Sequence, residues 1–446
     1  MQRLFGTDGV RGLANHEVTA ELALRLGRAT ASYFSEQVKG KPKLFIGKDT
    51  RLSGDMLEAA LAAGICSAGG EAHLLGVMPT PTVAYLTASS DACAGVVISA
   101  SHNSFEDNGI KIFSSSGAKL PDSVENEIQL IVEDENKAKK PEGAGLGAVV
   151  ERAGLARAYF DYVVQSTATD FGGMKVVVDC ANGAAYELAP VILRALGAEV
   201  IVIHDKPNGI NINDDCGSTH MESLRASVRE YKADVGIAHD GDADRCLLVD
   251  EKGKLVDGDQ MMLICALELM KAGKLVDNTL VTTVMSNIGL HAAMKQNGGK
   301  CLTTPVGDRY VLEEMIKNGY NLGGEQSGHI IFGDIVTTGD GLVTATQVLC
   351  ALVKNNRPLS ELAALMTRYP QILKNIRVKN KKGWQDNQQI KKAVAYAEDK
   401  LGENGRVLVR ASGTEPLLRV MVEGPEMRLL EELTDYICTT VEKEFA

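Results

Sequence analysis

At three places along the chain, a short run of apolar, mostly β-branched residues leads into a polar loop and then into a helical pattern. These strands are predicted to begin near residues 44, 175 and 280. Strands that alternate with helices predict βαβ units and an α/β fold. The three units share this architecture without a convincing sequence repeat. Because 446 residues are too many for one core, we expect several domains.

Three breaks in composition mark the predicted domain boundaries. Glu, Lys, Pro and Gly crowd together over 134–147, a polar turn covers 251–254, and Tyr369 precedes Pro370. Strand-like and helical patterns both follow the last break, and an amphipathic helix closes the chain. We therefore predict three α/β domains with mixed sheets and a smaller α+β domain at the C-terminus. Their boundaries are 1–152, 153–252, 253–368 and 369–446.

Charge and composition exclude several partners and compartments. With 47 Lys and Arg against 58 Asp and Glu, the net charge of -11 argues against nucleic-acid binding. The longest strongly apolar run, 261–270, is too short to cross a bilayer and contains Glu268. Glycines at 6 and 9 interrupt any leader peptide, and the nine cysteines form no Cys-x-x-Cys pair. These features predict a cytoplasmic protein with no membrane association.

The first candidate site follows a buried strand. Four apolar residues, 95–98, run into Ser99-Ala100-Ser101-His102-Asn103. Ligands of open α/β sheets bind beyond the carboxyl ends of strands, so Ser101 is a candidate nucleophile with His102 beside it. Ser, His and Asn are also ordinary loop residues, and that alternative stays open for this stretch alone. Asp107-Asn108-Gly109 predicts a hairpin turn into a strand that brings Lys111 near the loop.

A second candidate site is an acidic loop between two strand-like segments. Asp240, Asp242 and Asp244 alternate, so in an extended loop their side chains point to one side and favour a bound cation. An EF-hand is rejected because Arg245 occupies the position that needs glycine and the flanks are not helical. A Mg²⁺ site fits better, with a solvated acidic turn as the alternative.

Three further loops carry groups suited to anions or sugars. Residues 3–12 combine three glycines with two arginines, including Arg11, which suits a loop around an anion or a plain turn. A glycine-rich loop offers Glu325, Ser327 and His329, a set that could hydrogen-bond sugar hydroxyls or form only an irregular loop. The last loop, 410–419, predicts a phosphate cradle, although a plain hairpin remains the alternative. Its candidate phosphate ligands are Arg410, Ser412, Gly413, Thr414 and Arg419.

These motifs occur together in one order, at 5–12, 99–103, 240–245, 324–329 and 410–416. On the basis of these five motifs, the chain resembles the α-D-phosphohexomutase superfamily along nearly its whole length. Each motif alone is modest evidence, whereas five in the family order are strong. Ser104 is a departure, because many members have proline there. The Phe-Gly-Thr-Asp-Gly opening and Gln326 favour the branch that acts on glucosamine over relatives that act on mannose or glucose.

The resemblance implies four domains around a central cleft and the interconversion of glucosamine 6-phosphate and glucosamine 1-phosphate. This reaction would feed the synthesis of UDP-N-acetylglucosamine and cell-wall precursors. It would proceed through a phosphoserine at Ser101 and a bound 1,6-bisphosphate of glucosamine or another hexose. The implied cofactor is Mg²⁺, held by Ser101 and the three loop aspartates. Arg245 would steady the transferring phosphate, Lys111 and Arg11 would add positive charge, and His102 or Lys111 would handle the proton.

Other activities fit the same motifs. A phosphomannomutase or phosphoglucomutase would use the same groups on another hexose phosphate. A Mg²⁺-dependent sugar phosphatase would release phosphate instead of conserving it. A catalytically silent sugar-phosphate-binding protein would do neither, but intact Ser101 and the intact acidic triplet argue against it. The expected partner is in every case a small sugar phosphate, and a homodimer is a candidate assembly.

Overall fold

The computed structural model of the chain describes residues 3–6, 8–167, 169–412 and 416–445. The chain packs into two compact units. The first unit contains residues up to 285 together with Cys301–Ala364, and the second contains Ser286–Lys300 and the chain from Leu365 onward. Three mixed α/β sheets and a small antiparallel sheet near the C-terminus confirm the predicted fold class.

The first sheet has six strands in the order β1-β5-β4-β2-β3-β6. Strands β2, β3 and β4 are parallel to one another, whereas β5 runs antiparallel between β4 and β1. The elements are β1 (Val10–Leu13), α1 (Ala20–Phe34), β2 (Lys43–Lys48), α2 (Gly54–Ser67), β3 (Glu71–Val77), α3 (Thr80–Ala88), β4 (Ala94–Ile98), β5 (Asp107–Ser114), α4 (Asp122–Glu133) and β6 (Val149–Glu151).

Helix α1 shows how the local sequence sets these elements. The Thr19 side chain caps the helix by accepting a hydrogen bond from the Leu22 backbone N–H. Apolar residues then recur on one face, and Leu26 packs in a core with Leu57 of α2 and Leu44 of β2. One prediction here is wrong. Asn108 and Gly109 lie inside β5 and pair with β1, because the turn before them is the longer serine loop.

The second sheet has five strands in the order β11-β10-β9-β7-β8. Strand β7 is parallel to both β8 and β9, while β9 and β10 form an antiparallel pair. The acidic loop is therefore the connection of a β-hairpin at the edge of a parallel core. The elements are α5 (Ala156–Thr167), β7 (Lys175–Asp179), α6 (Leu188–Ala195), β8 (Glu199–Ile203), α7 (Glu222–Tyr231), β9 (Val235–His239), β10 (Cys246–Asp250) and β11 (Leu255–Val256).

The third sheet has the strand order β13-β12-β14-β15. Strands β12 and β14 are parallel, and the antiparallel pair of β14 and β15 holds the predicted sugar loop at its turn. Helix α8 begins with a capping box between Asp257 and Gln260. The elements are α8 (Gly258–Lys271), β12 (Thr279–Thr283), α9 (Ile288–Gln296), β13 (Lys300–Thr304), α10 (Asp308–Asn318), β14 (Leu322–Gly324), β15 (Ile330–Phe332), α11 (Gly341–Asn355) and α12 (Leu359–Ala363).

The C-terminal sheet is antiparallel, in the order β16-β18-β17. Helices α13 and α14 share a hydrophobic core with it, through residues such as Ile390, Ile437 and Val420. This arrangement is the predicted α+β domain. The elements are β16 (Gln371–Arg377), α13 (Gln388–Leu401), β17 (Arg406–Ala411), β18 (Leu417–Glu423) and α14 (Met427–Phe445).

Two bulk predictions can be compared with the structure. Across the described ranges, no helix is both long and apolar enough to cross a membrane. All nine cysteines are free thiols, and most are buried. The buried ones act as small apolar core residues.

Candidate active site

The serine loop connects β4 to β5 at the carboxyl end of the parallel strands. Ser101 is 1% exposed, and its backbone adopts a left-handed conformation with φ 54°. Its Oγ donates a hydrogen bond of 2.6 Å to Asp240 Oδ2, and its backbone N–H donates to Ser99 Oγ. The predicted nucleophile therefore lies against the predicted metal loop, although 139 residues separate the two in sequence.

The acidic loop gathers its three carboxylates in a buried place. One oxygen from each of Asp240, Asp242 and Asp244 lies within 4.8 Å of the others, and the residues are 0%, 1% and 7% exposed. The alternative of a solvated acidic turn is therefore wrong. The flanking elements are β9 and β10, so the rejection of an EF-hand is confirmed.

The donor set of this carboxylate triad fits a hard divalent cation. Asp242 Oδ1 and Asp244 Oδ1 are buried, and neither accepts a hydrogen bond from the described part of the chain. Buried carboxylate oxygens without donors are costly, and Mg²⁺ binds carboxylate oxygens in this way. The three aspartates could therefore hold Mg²⁺ beside the Ser101 hydroxyl.

Lys111 of β5 neutralises part of this charge. Its Nζ lies 2.8 Å from Asp242 Oδ2, 3.2 Å from Asp8 Oδ2 and 3.5 Å from Asp244 Oδ2. Burial opposes the ammonium charge, but the surrounding carboxylates raise the pKa of Lys111 above its ordinary value. The prediction that Lys111 lies near the serine loop is confirmed, since β5 brings its ammonium group to the triad.

The pKa values of Asp240 and Asp244 are shifted in opposite directions. Burial and the neighbouring charges of Asp244 and Asp242 raise the pKa of Asp240 well above its usual range. Burial would also raise the pKa of Asp244, but Lys111, His329 and Arg245 hold it well below that range. The two pKa values differ because Lys111 lies beside Asp244, whereas Asp240, which accepts the Ser101 hydrogen bond, has no close lysine among the described residues.

The other predicted catalytic residues surround the serine. His102 is half-buried with Nδ1 3.5 Å from Ser101 Oγ, and burial together with Arg245 and Arg11 lowers the pKa of His102 to about 4. Arg245 Nε lies 3.8 Å from Asp244 Oδ1 and 4.0 Å from Asp240 Oδ2. Arg11, on β1, pairs with Asp8. Arg245 therefore lies beside the buried triad, and Arg11 lies close enough to His102 to affect its pKa.

The three predicted sugar ligands take different positions. Glu325 and Ser327 are half-buried at the turn between β14 and β15, and Glu325 Oε1 accepts a hydrogen bond from the Gly307 backbone N–H. His329 is only 3% exposed, with Nδ1 3.7 Å from Asp244 and Nε2 3.5 Å from Asp308. Burial opposes its charge, yet Asp244 and Asp308 raise the pKa of His329 to about 9. Its ring is engaged with carboxylates, whereas a direct contact with the sugar remains a prediction.

Sequence reasoning missed several residues that support this site. Asp8, Lys119 and Asp308 form a chain of ion pairs that leads to His329, with Lys119 Nζ 2.6 Å from Asp308 Oδ2. Thr80 Oγ1 donates to Asp242 Oδ2 at 2.6 Å. Asp8 and Asp308 stand in motifs that the sequence singled out without giving these residues a role. Lys119 and Thr80 carry no local signal, because their partners are distant in sequence.

The second unit carries the predicted phosphate cradle. Gly413 and Thr414 lie outside the described residues. Arg410 and Arg419 face each other across the pair of β17 and β18, and Arg419 Nη2 lies 3.5 Å from Ser412 Oγ. Burial and the charge of Arg419 lower the pKa of Arg410. Like charges in directly opposite positions destabilise a sheet, so this pair favours a bound anion.

A further cluster of metal-type ligands contains Asp179, His204 and Cys216. The Asp179 carboxylate already accepts hydrogen bonds from the backbone N–H groups of Ala181 and Gly217. His204 Nδ1 lies 3.0 Å from Asp179 Oδ2, and this contact raises the pKa of His204. We therefore assign this cluster to holding two loops together.

With this geometry in hand, comparisons with known proteins define the class. The chain matches the alpha/beta/alpha domains I, II and III of phosphoglucomutase/phosphomannomutase at residues 2–139, 157–253 and 257–369. It matches the C-terminal domain of the same proteins at 373–440. The fold is thus that of a phosphohexomutase, an isomerase that transfers a phosphoryl group.

The chain belongs to the phosphoglucomutase/phosphomannomutase family. A phosphoglucosamine mutase from Symbiobacterium thermophilum is 54% identical over 446 residues, which is all of both chains. Another, from Carboxydothermus hydrogenoformans, is 54% identical over 99% of this chain and all of the relative. The solved structure of a family member from Burkholderia thailandensis is 25% identical, with a TM-score of 0.84 over 99% of this chain and 98% of that one.

Proposed function

We propose that this chain acts as a phosphoglucosamine mutase, which interconverts glucosamine 6-phosphate and glucosamine 1-phosphate. The observation that carries the proposal is the buried contact of 2.6 Å between Ser101 Oγ and Asp240 within the carboxylate triad. A serine held in this way suits a group that carries a phosphoryl group between turnovers. The identity of 54% to phosphoglucosamine mutases over whole chains supports the choice of substrate.

The proposed reaction has two transfers. Phosphoserine at Ser101 gives its phosphoryl group to the free hydroxyl of the sugar, so the bond from Ser101 Oγ to phosphorus breaks and a bond to the sugar oxygen forms. The product is a 1,6-bisphosphate, and the hydroxyl proton passes through a base to Ser101 Oγ. The bisphosphate then presents its other phosphate to Ser101. The bond from that phosphorus to the sugar oxygen breaks, a bond to Ser101 Oγ forms, and the serine proton passes to the sugar oxygen of the released monophosphate. Phosphate is conserved over the cycle.

Charge is the main requirement of this chemistry. A phosphoryl group in transfer spreads negative charge over its oxygens, and the protein must surround it with positive charge. Arg245, Arg11 and Lys111 supply cationic side chains around the serine loop. Asp240, Asp242 and Asp244, with an oxygen of Ser101, would hold Mg²⁺. When bound, this ion would supply further positive charge against the phosphoryl oxygens.

Geometry also bears on the proton. His102 Nδ1 lies 3.5 Å from Ser101 Oγ, whereas the Lys111 ammonium group faces the carboxylates of Asp242 and Asp8. A base must lie within reach of the proton that it accepts. These distances support His102 as the proton acceptor and Lys111 as a fixed positive charge.

The remaining proposals concern ligand binding, cellular compartment and assembly. Glu325 and Ser327 are proposed to bind the sugar, and Arg410, Ser412 and Arg419 the phosphate that is not reacting. A pair of arginines with a hydroxyl binds phosphate without recognising the ring that carries it, which suits a substrate presented in two orientations. Free cysteines support a reducing compartment such as the cytoplasm. A homodimer and a role in UDP-N-acetylglucosamine supply remain predictions.

The experiment that tests the function measures two products. Purified protein with Mg²⁺ and a trace of hexose 1,6-bisphosphate is given glucosamine, glucose or mannose 6-phosphate, and both isomer formation and phosphate release are followed. We expect the highest kcat/KM for glucosamine 6-phosphate and negligible phosphate release. Preference for another hexose would assign a different mutase, and stoichiometric phosphate release would assign a phosphatase.

A pair of variants tests the nucleophile. Ser101→Ala should abolish isomer formation, because the relay has no carrier. Ser104→Ala, an exposed serine of the same loop, is the matched control and should keep normal turnover. Normal turnover by Ser101→Ala would refute the assignment.

A further inference from the structure

Arg51, in the loop between β2 and α2, makes an unusual set of contacts beneath the serine loop. Arg51 as a whole is 3% exposed, and its side chain is fully buried. Nη2 donates to the carbonyl oxygens of Ser101 and Asn103 at 2.9 and 2.8 Å. Nη1 donates to the carbonyl oxygens of Asp107, at 3.1 Å, and Ser104. One guanidinium group thus binds four carbonyl oxygens within seven residues of chain.

The rest of the guanidinium group is fixed by Asp49. Arg51 Nε donates to Asp49 Oδ2 at 2.9 Å, and the Arg51 backbone N–H donates to Asp49 Oδ1. Ser99 Oγ also donates to Asp49 Oδ2 at 2.6 Å and accepts from the Ser101 backbone N–H. All five N–H groups of the Arg51 side chain are therefore used, and Asp49 connects them to Ser99, two residues before the nucleophile.

The serine loop needs such support because its central residue is strained. Ser101 has φ 54°, a left-handed conformation that is strained for a residue with a Cβ. Strained residues persist at active sites only where the surroundings fix them. Asn213 adds to the support, since its Nδ2 donates to the Ser101 and Asn103 carbonyl oxygens at 2.8 and 2.9 Å.

Arg51 is placed to act through geometry and not through its charge. Its guanidinium group is paired with the Asp49 carboxylate at 2.9 Å, and both side chains are fully buried. The pair therefore presents little net charge to a phosphoryl group on Ser101. A lysine could keep this pairing, but its single ammonium group could not bind four separated carbonyl oxygens.

We propose that Arg51 is a positioning residue that holds Ser101 in line for phosphoryl transfer, an inference that rests on the proposed function. It acts on the transfer step and leaves binding of the sugar phosphate to other loops. Because a displacement of about 1 Å can cost on the order of 100-fold in rate, Arg51→Lys should lower kcat by about 100-fold. The KM for glucosamine 6-phosphate should change by less than about threefold, since no substrate contact is removed.

The transfer step can be measured directly in the full chain. Dephosphorylated protein is mixed with glucose 1,6-bisphosphate, and the gain of one phosphoryl group is followed by intact mass spectrometry in single turnover. We expect Arg51→Lys to gain it about 100-fold more slowly than the wild type. Arg28→Lys is the matched control, because Arg28 is half-buried and binds Ser67 and Glu135 away from the serine loop. It should transfer at the wild-type rate.

The outcomes separate the two proposals. Equal transfer rates for the wild type and a folded Arg51→Lys, or a loss confined to KM, would overturn the role of Arg51. If Arg51→Lys does not fold, Asn213→Ala decides, with a loss of about 5-fold expected for one neutral donor and an unchanged rate counting against the inference. A wild-type protein that gains no phosphoryl group would overturn the proposed function, and this inference with it.

Discussion

Replacement of Asp242 by asparagine separates metal binding from folding. Asp242 is 1% exposed, and its Oδ2 accepts hydrogen bonds from Thr80 Oγ1 at 2.6 Å and Lys111 Nζ at 2.8 Å. Its Oδ1 is buried without a hydrogen bond from the residues that the structure describes. Asparagine keeps the shape of the side chain but removes the charge that a cation would need at this oxygen.

The expected loss of Mg²⁺ affinity is large. Changing a partner outside the ligand shell typically costs a metal site about 10- to 100-fold in affinity. Removal of a charged ligand should therefore cost at least about 100-fold, which is about 2.7 kcal/mol. Without metal the protein should not be destabilised, because the variant loses one attraction to Lys111 but also two repulsions, from Asp240 and Asp244.

The assay is a Mg²⁺ titration by calorimetry, with thermal unfolding of the metal-free protein alongside. Asp250→Asn is the matched control, because Asp250 is also buried and its Oδ1 accepts from the Lys252 and Lys254 backbone N–H groups, as an amide oxygen can. It should keep wild-type Mg²⁺ affinity. Equal affinities for wild type and Asp242→Asn, or an equal loss in both variants, would refute the assignment of the triad as the metal site.

Three further predictions concern other parts of the chain. Arg419→Ala should lower kcat/KM for glucosamine 6-phosphate by about 10-fold or more, as expected for the loss of a charged contact. If kcat/KM were unchanged in both Arg419→Ala and Ser412→Ala, the phosphate would have to bind elsewhere. Gly328→Ala should lower the free energy of unfolding by about 2 kcal/mol or more in denaturant titrations. Its φ is 90°, and the new Cβ would lie 2.0 Å from the Cys246 carbonyl oxygen. At Gly273 the described structure has no atom within 4 Å of a new Cβ, so a loss as small as that in Gly273→Ala would contradict the prediction. His204→Asn should cost more stability at pH 5.5 than at pH 8.5. The raised pKa of His204 stabilises the fold below the ordinary histidine pKa, and this stabilisation is lost as pH rises through the pKa of the folded state. A pH-independent difference in stability would count against the ion pair of His204 with Asp179.

Local patterns in the sequence were enough to predict where several strands begin. Strands β2, β7 and β12 begin within one residue of the predicted positions 44, 175 and 280, because periodicity acts within a few residues. The exception, Asn108 with Gly109, shows the limit of a local signal. A dipeptide typical of turns lies inside β5 because pairing with β1 and β4 outweighs its preference.

The chemistry of the loops was also carried by the sequence. Ser101 at a strand end and three alternating aspartates predicted a nucleophile and a metal site from residue type and spacing alone. What the sequence left open was whether these groups meet and whether water surrounds them. The contact between Ser101 and Asp240 and the burial of the triad answer both questions for the described residues.

Only the tertiary structure decided which partners complete the site. Lys111 turns toward three carboxylates, His329 toward Asp244 and Asp308, and Arg51 toward the carbonyl oxygens of the serine loop. Each of these contacts joins residues that lie between 21 and 133 positions apart. Their energies depend on burial and on distances that the order of strands in the sheets creates. A pattern that extends over a few residues contains no record of that order.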